Sequence, residues 1–213
     1  EVISTRDLFE NSQGGAIYVD NTCLVLDDVF IFDNTVLDEG SSGGAIYGGM
    51  PEDEEDFACD DIAVQISNTE IRGNISEDKG GAIYLMNIEQ ADINHVLITG
   101  NATAGGGAIY LNNCGDVNFD HVTIANNYTT DGFAPVLYAK TYSNIDITNS
   151  IIYNNVSIIG EDIAPQGFQC DGPSQINIDY TDIENGADNF LGNDCDVNYG
   201  MGNIDEDPLF IDP

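Results

Sequence analysis

Basic residues are scarce in this chain: four Lys and Arg stand against 38 Asp and Glu in 213 residues, which gives a formal charge of −34. Such a surface repels the phosphate backbone of nucleic acids and the anionic face of membranes. Long apolar runs are also missing, so the sequence predicts no membrane-spanning segment. We therefore expect neither a nucleic-acid partner nor direct insertion into a membrane. Apolar residues still make up 42% of the chain and recur throughout, which argues against disorder.

A short motif repeats along the chain. The string Gly-Gly-Ala-Ile-Tyr ends at Tyr18, Tyr47, Tyr84 and Tyr110, and a decayed copy follows. After each copy comes an asparagine, and these form the series Asn34, Asn74, Asn101, Asn127 and Asn155. Apolar residues precede each of these asparagines by ten, eight and three positions. All of them are large or β-branched except Ala91, which is small. Pairs of apolar positions two apart, separated by a bend, are typical of short β-strands rather than helices.

The repeat predicts an all-β fold. With Ala-Ile-Tyr as a third strand, the repeat length of 26 to 28 residues, where no insertion intervenes, matches one coil of a three-sided solenoid. We predict a right-handed, single-stranded parallel β-helix of about seven coils over residues 1–184, with an insertion loop at 50–61. Residues 185–213 are expected to form an irregular cap or exit segment. Equivalent residues of successive coils then form ladders at roughly 4.8 Å spacing.

The bend between two of the strands supports this prediction. Six residues before each ladder asparagine stands a residue type that tolerates left-handed backbone geometry. These residues are Asp28, Asn68, His95, His121 and Asn149. Near the start of the chain, Ile3, Leu8 and Asn11 match the positions eight before, three before and at the ladder. We therefore expect the chain to open partway through a coil, with upstream residues or a neighbouring subunit covering that end.

The coil pattern, its asparagine ladder and the Gly-Gly-Ala-Ile-Tyr strand resemble right-handed parallel β-helix repeats, including those of polymorphic outer-membrane and other secreted bacterial surface proteins. The segment from Gly202 to Phe210 is similar to the one with which many secreted β-helix proteins leave the last coil. The resemblance itself carries little about function, and we expect a non-catalytic structural or adhesive module at the cell surface or outside the cell. Its partners would be a surface protein, a glycan or copies of itself. The alternative is a carbohydrate-active protein, either a polysaccharide lyase or hydrolase or a sugar-binding module, because this repeat serves all of these.

The residue content favours the non-catalytic interpretation. A lyase needs basic residues, and only Arg72 is expected on a strand, where its equivalents include Phe32 and Thr99. Paired carboxylates could support hydrolysis, but so many surface acids make a chance pair uninformative. No catalytic residue is predicted.

Outward positions of the middle strand carry many acids and amides, among them Asp27, Asp92, Asn118, Asp120, Asp146 and Asp179. Carboxylates placed side by side on neighbouring strands repel one another, and calcium, which prefers oxygen ligands, would relieve that repulsion. Asp92, Asp120 and Asp146 are therefore candidate calcium ligands. The simpler interpretation is a solvated face screened by salt.

Two further groups are candidates for binding. If the isoleucines of the repeated motif point inward, then Tyr18, Tyr47, Tyr84 and Tyr110 form an outward aromatic row that could bind sugar or mediate assembly; the opposite register would bury them. His95 and His121 occupy equivalent positions in adjacent coils and could hold a metal ion together. Their place in the bend series explains them without a metal.

Five cysteines suggest two disulfides in an oxidising compartment, with a cytosolic protein of five free thiols as the alternative. We predict the pairs Cys170 with Cys195 and Cys23 with Cys59, which leaves Cys114. Four ladder asparagines also match the N-glycosylation pattern, and we expect their amides to be stacked inside the turn and inaccessible.

Overall fold

The chain is a parallel β-solenoid. A computed structural model describes residues 2–3, 6–7, 13–37, 40–49, 63–130, 134–159, 162–164, 167–192 and 195–210. Their strands form four sheets of seven strands each, which surround one apolar interior. Apart from Val156–Ile159 and Asp162–Ala164, successive strands of the chain fall in different sheets, and most strands pair with their equivalents one turn before and one turn after. The predicted all-β solenoid with stacked parallel strands is confirmed.

We number the sheets in the order in which a turn visits them. Sheet I consists of Ile17–Asp20, Ile46–Gly49, Ile83–Met86, Ile109–Asn112, Leu137–Lys140, Phe168–Asp171 and Phe190–Gly192. Sheet II consists of Leu24–Asp27, Val64–Ser67, Gln90–Asn94, Asp116–Asp120, Asn144–Thr148, Ser174–Asp179 and Cys195–Tyr199. Sheet III consists of Val2–Ile3, Phe30–Phe32, Glu70–Arg72, Leu97–Thr99, Thr123–Ala125, Ile151–Tyr153 and Asp182–Ile183.

Sheet IV consists of Arg6–Asp7, Thr35–Val36, Ile75–Lys79, Ala102–Gly105, Tyr128–Thr129, Val156–Ile159 and Asp162–Ala164. Its last strand pairs antiparallel with the strand before it, whereas the other neighbouring strands of the four sheets pair in parallel. A short 3-10 helix covers Gly186–Asn189. No helix in the described part of the chain has the length and apolar character that crossing a membrane requires.

Each complete turn has four strands, not the three that the sequence predicted. The extra strand belongs to sheet IV and begins directly after the ladder asparagine, which itself follows a second bend. The residues at this bend adopt positive φ and are Asp33, Gly73, Gly100, Asn126 and Asn154. Five turns between Ile17 and Ile159 contain all four strands, and incomplete turns at the two ends supply the remaining strands of each sheet. The count of complete coils is therefore five, not about seven.

The interior is built from columns of equivalent apolar residues. The column three positions before the ladder contains Ile31, Ile71, Ile98, Ile124 and Ile152, and each of these is at most 1% exposed. They lie opposite one another in register along sheet III. Burying one such side chain contributes roughly 1.5 to 3 kcal/mol, so the column is a main source of stability.

The register of the first strands differs from the sequence prediction. Ile3 lies opposite Ile31, and Arg6 lies opposite Thr35. Ile3 thus occupies the position three before the ladder, and the assignment of Ile3 to the position eight before it was wrong. Strand patterns repeat every two residues, so a match at a few apolar positions does not define a register. Leu8 and Asn11 lie outside the described residues, as does the predicted insertion loop at 50–61.

The C-terminal segment is more regular than the sequence suggested. Phe190–Gly192 and Cys195–Tyr199 continue sheets I and II in parallel. Beyond them, Ile204 forms a β-bridge with Asp182 of sheet III. Cys170 and Cys195 form the predicted disulfide, with their Cα atoms 5.4 Å apart. This disulfide connects sheet I to the last strand of sheet II.

Candidate functional site

The ladder asparagines belong to the interior and not to a surface site. In the first four, Nδ2 donates to Oδ1 of the asparagine one turn further on, over 2.8, 2.9, 3.0 and 2.9 Å. Each of the same oxygens also accepts the backbone N–H of the preceding ladder residue. The five side chains are buried. The amides of the glycosylation-like sequences are therefore stacked inside the turn, as predicted.

The outer face of sheet II carries rows of polar side chains and a groove, and it is the candidate site. Most apolar residues of each strand point inward, Val25 being an exception, and three outward rows of equivalent residues remain. The central row contains Val25, Gln65, Asp92, Asn118, Asp146, Asn177 and Asn198. The bend row contains Asp27, Ser67, Asn94, Asp120, Thr148 and Asp179. The leading row contains Gln90, Asp116, Asn144, Gln175 and Asp196.

Carboxylates in these rows alternate with neutral side chains. In the central row, Asn118 Nδ2 donates to Asp92 Oδ1 at 2.8 Å, and Asn177 Nδ2 donates to Asp146 Oδ1 at 2.7 Å. In the bend row, Thr148 Oγ1 donates to Asp120 Oδ1 at 2.9 Å. No two acids of one row occupy adjacent turns in the described strands. Like charges directly opposite each other destabilise a sheet, and the alternation avoids that cost.

Two aspartates of the bend row are held in their charged form. The side-chain amide of Asn149 is the main cause that lowers the pKa of Asp120, and His121 and Thr148 add to it, while burial acts in the opposite direction. The amide of Asn68 and the hydroxyl of Ser67 lower the pKa of Asp27. Hydrogen bonds donated to a carboxylate stabilise the ionised state. These two groups are therefore suited to accepting hydrogen bonds and not to releasing protons near neutral pH.

A shallow groove of about 560 Å³ runs along this face. It is lined by Asn118, Phe119, Asp120, Asp146, Thr148, Asn177, Asp179 and Asn198. The groove thus presents carboxylate, amide and hydroxyl groups from the central and bend rows of four neighbouring turns. Its volume falls within the range of small-ligand sites.

The candidate calcium ligands do not form one cluster. Asp92 and Asp146 lie two turns apart in the central row with Asn118 between them, and Asp120 lies in the bend row. Among the described residues, no group of three or more His, Cys, Asp or Glu side chains is arranged to hold a metal ion. The premise that these acids stand side by side was wrong, because amides intervene.

The two histidines stack. Their ring centroids are 4.7 Å apart and the ring planes differ by 2°. Both residues adopt the left-handed conformation predicted for the bend, with φ of 55° at His95 and 54° at His121. His121 Nδ1 donates to Asp120 Oδ2 at 2.9 Å, and His95 Nδ1 donates to Asn94 Oδ1. Both rings are exposed to solvent.

The tyrosines form a continuous stack on the side of sheet I that faces away from the main core. Centroids of successive rings are 5.0 to 5.2 Å apart from Tyr18 through Tyr47, Tyr84 and Tyr110 to Tyr138. The adjacent isoleucines, such as Ile83, lie in the core, while the tyrosines form a cluster of their own. Tyr18 is 55% exposed, whereas Tyr110 is only 5% exposed. Burial raises the pKa of Tyr47 to about 12 and also raises that of Tyr110.

The sequence analysis missed the fifth ring of this stack. Tyr138 follows the decayed copy of the repeat, where the glycine pair is no longer present. Leu137-Tyr138 lies in register with Ile109-Tyr110, and this apolar-tyrosine pair was the signal that could have identified it.

Cys114, Cys23 and Cys59 remain after the disulfide between Cys170 and Cys195 is assigned. Cys114 is free and buried, and burial raises the pKa of its thiol to about 11. A thiol with so high a pKa is a poor nucleophile at neutral pH. Cys59 lies outside the described residues, so its pairing with Cys23 stays a prediction.

Arg72, the one basic residue predicted on a strand, is engaged locally. Its guanidinium lies 3.3 Å from a carboxylate oxygen of Glu70 and 5.5 Å from the ring centroid of Phe32. The groove of sheet II contains no basic side chain.

Comparison with protein families, with curated proteins and with solved structures finds no match for this chain.

Proposed function

We propose that the chain is a non-catalytic structural or adhesive module of an extracellular or cell-surface protein. The observation that supports this most is the alternation of carboxylates and amides on sheet II. Outward side chains there hydrogen bond to their equivalents on the next turn, so they reinforce the stack in the same way as the buried asparagines. The five complete turns form a stiff rod of roughly 25 Å at the usual strand spacing. Such a rod is suited to projecting or presenting a surface.

The disulfide and the charge support the proposed location. Disulfides persist in oxidising compartments and are rare in the cytosol, and Cys170 and Cys195 are bonded. A net charge of −34 keeps an exposed protein soluble and repels non-specific polyanions. Partners of this module would be surface proteins, glycans or further copies of the chain.

A panel of acidic and neutral polysaccharides tests the non-catalytic part of the proposal. We expect neither new reducing ends nor unsaturated products above the level of a buffer control. Release of products that disappears in the Asp146→Asn variant would contradict the proposal and support a carbohydrate-active enzyme.

The groove favours one second candidate, a sugar-binding module. Hydroxyl-rich ligands are bound by side chains that donate and accept hydrogen bonds, and Asn177, Asp146 and Thr148 supply both. Retardation in gels that contain a neutral polysaccharide would measure binding. Asn177→Ala should abolish such retardation, whereas Gln175→Ala, on the same strand but outside the groove, should not. Equal retardation of both variants would exclude the groove as the binding surface.

A further inference from the structure

His95 and His121 lie side by side on neighbouring turns of the solenoid. The left-handed bend projects both side chains from the same corner of neighbouring turns, and their rings lie parallel at 4.7 Å. The flanking turns carry asparagine at this position, Asn68 on one side and Asn149 on the other. We propose that His95 and His121 together bind one divalent transition-metal ion of the class that prefers imidazole, namely Cu²⁺, Ni²⁺ or Zn²⁺.

Hydrogen bonds at Nδ1 fix the tautomer of each ring. A carboxylate such as Asp120 only accepts, so His121 Nδ1 carries the hydrogen and its Nε2 keeps a lone pair in the neutral ring. The same holds for His95, whose Nδ1 donates to the amide oxygen of Asn94. No partner for either Nε2 occurs among the described residues, and 51% of the His121 side chain is exposed. A carboxylate behind a histidine ligand also orients the ring and raises its basicity.

The spacing of the rings suits a shared ion after a small movement. Metal to nitrogen bonds are roughly 2.0 to 2.1 Å long, so two imidazoles on one ion must bring their Nε2 atoms closer than the present ring spacing. Two exposed side chains can tilt toward each other to achieve this, and water completes the coordination. Imidazole ligands select Cu²⁺, Ni²⁺ and Zn²⁺ over Ca²⁺ and Mg²⁺. This site uses nitrogen ligands, whereas the candidate calcium ligands supply oxygen; one of those, Asp120, accepts the Nδ1 hydrogen of His121.

Copper provides the most direct probe. The chain contains two histidines, so imidazole nitrogen couplings in the electron paramagnetic resonance spectrum of bound Cu²⁺ report on them alone. One equivalent of Cu²⁺ at neutral pH should show two coupled imidazoles. A spectrum without nitrogen coupling would mean that the acidic surface holds the ion through carboxylates, and one with a single imidazole would mean that the rings do not act together. Either result overturns the proposal.

The bend series offers matched variants that keep two histidines. In the double variant Asn68→His with His121→Asn, the pair moves by one turn and stays adjacent. In Asn68→His with His95→Asn, the histidines are two turns apart, roughly 9.6 Å, too far to share one ion. We expect the first variant to retain two-imidazole binding and the second to bind Cu²⁺ at least tenfold more weakly, through one imidazole.

Equal affinity of the two double variants would overturn the proposal. Both should fold, because asparagine already occupies this bend in other turns, and circular dichroism checks this. If either one does not fold, the single variant His121→Asn decides: it should show one imidazole and at least tenfold weaker binding at an unchanged melting temperature. Unchanged Cu²⁺ affinity in that variant contradicts a shared site.

Discussion

Asn101 donates its side-chain Nδ2 hydrogen to Oδ1 of Asn127 across 3.0 Å, one turn further along the solenoid. The same amide also donates to the backbone oxygen of Ile71, on the turn before. One buried side chain therefore joins three successive turns.

Replacing Asn101 by Ala should lower the free energy of unfolding by about 3 kcal/mol, because several buried polar groups would lose their partners. Urea unfolding measures this. Asn118→Ala removes an amide from the exposed central row and serves as the control, with an expected loss below about 1 kcal/mol. Equal losses in the two variants would mean that the buried ladder adds nothing beyond an ordinary surface hydrogen bond.

Ile124→Asp should abolish folding. Ile124 is 1% exposed within the isoleucine column, and a carboxylate there would be buried without a partner. Thr123→Asp, one residue earlier on the outer side of the same strand, should leave the circular dichroism spectrum and solubility unchanged. A folded, soluble Ile124→Asp protein would mean that the interior admits water.

Much of this architecture was readable in the sequence because the columns are chemically uniform. Isoleucine at Ile98 and Ile124, asparagine at Asn101 and Asn127, and left-handed residues at His95 and His121 recur at fixed offsets. Uniform columns mean that one repeat identifies all the others.

Features that depend on two or three residues were not readable. The strands of the fourth sheet differ in length and composition from turn to turn, from two residues at Thr35–Val36 to five at Ile75–Lys79, so no common pattern revealed them. The orientation of the tyrosine stack also depended on strand register, which a period of two leaves open. The hydrogen bonds between outward side chains of sheet II could not be predicted either, because they depend on which residues of neighbouring turns lie opposite each other.

The alternation on sheet II predicts how calcium should act. Asn118→Asp would place three carboxylates, at 92, 118 and 146, on consecutive turns of the central row. In low salt this variant should have a lower melting temperature than the wild-type protein. CaCl₂ should raise that melting temperature more than NaCl of equal ionic strength does.

In the wild-type protein the two salts should act equally, through screening of the net charge. Asn198→Asp adds the same charge next to a neutral neighbour, Asn177, and controls for net charge. A larger rise in the melting temperature of the wild-type protein in CaCl₂ than in NaCl of equal ionic strength would support a specific calcium site.

The buried tyrosines predict a loss of stability at alkaline pH. The pKa of Tyr47 is raised from 10.0 to about 12 in the folded protein. A raised pKa means that the folded state favours the neutral phenol, so this stability is complete below about pH 10 and is lost as the pH rises towards 12.

Tyrosinate absorbance and circular dichroism should therefore change together in this range. Tyr110→Phe, which keeps the ring without an ionisable hydroxyl, should reduce the pH dependence. Complete tyrosine ionisation near pH 10 with an unchanged dichroism spectrum would show that the stack is open to solvent.

Reduction of the disulfide should destabilise the C-terminal turn. Cys170 and Cys195 close a loop with a sequence separation of 25 residues, and such a link contributes roughly 3 kcal/mol in the chain-entropy model. The Cys170→Ser, Cys195→Ser double variant should show faster hydrogen exchange in the strand Cys195–Tyr199 than in Asp116–Asp120. Uniform protection of both strands would mean that packing alone holds the last turn.

The equivalence of successive turns has an evolutionary consequence. Asn101 and Asn127 are separated by 26 residues and occupy identical settings, so excision of residues 102–127 would join two chain ends that already have matching neighbours. Duplication of the same segment would lengthen the rod by one strand spacing without creating a new kind of contact. Gain or loss of one such segment by recombination would therefore change the length of the solenoid by one turn while its cross-section stays fixed.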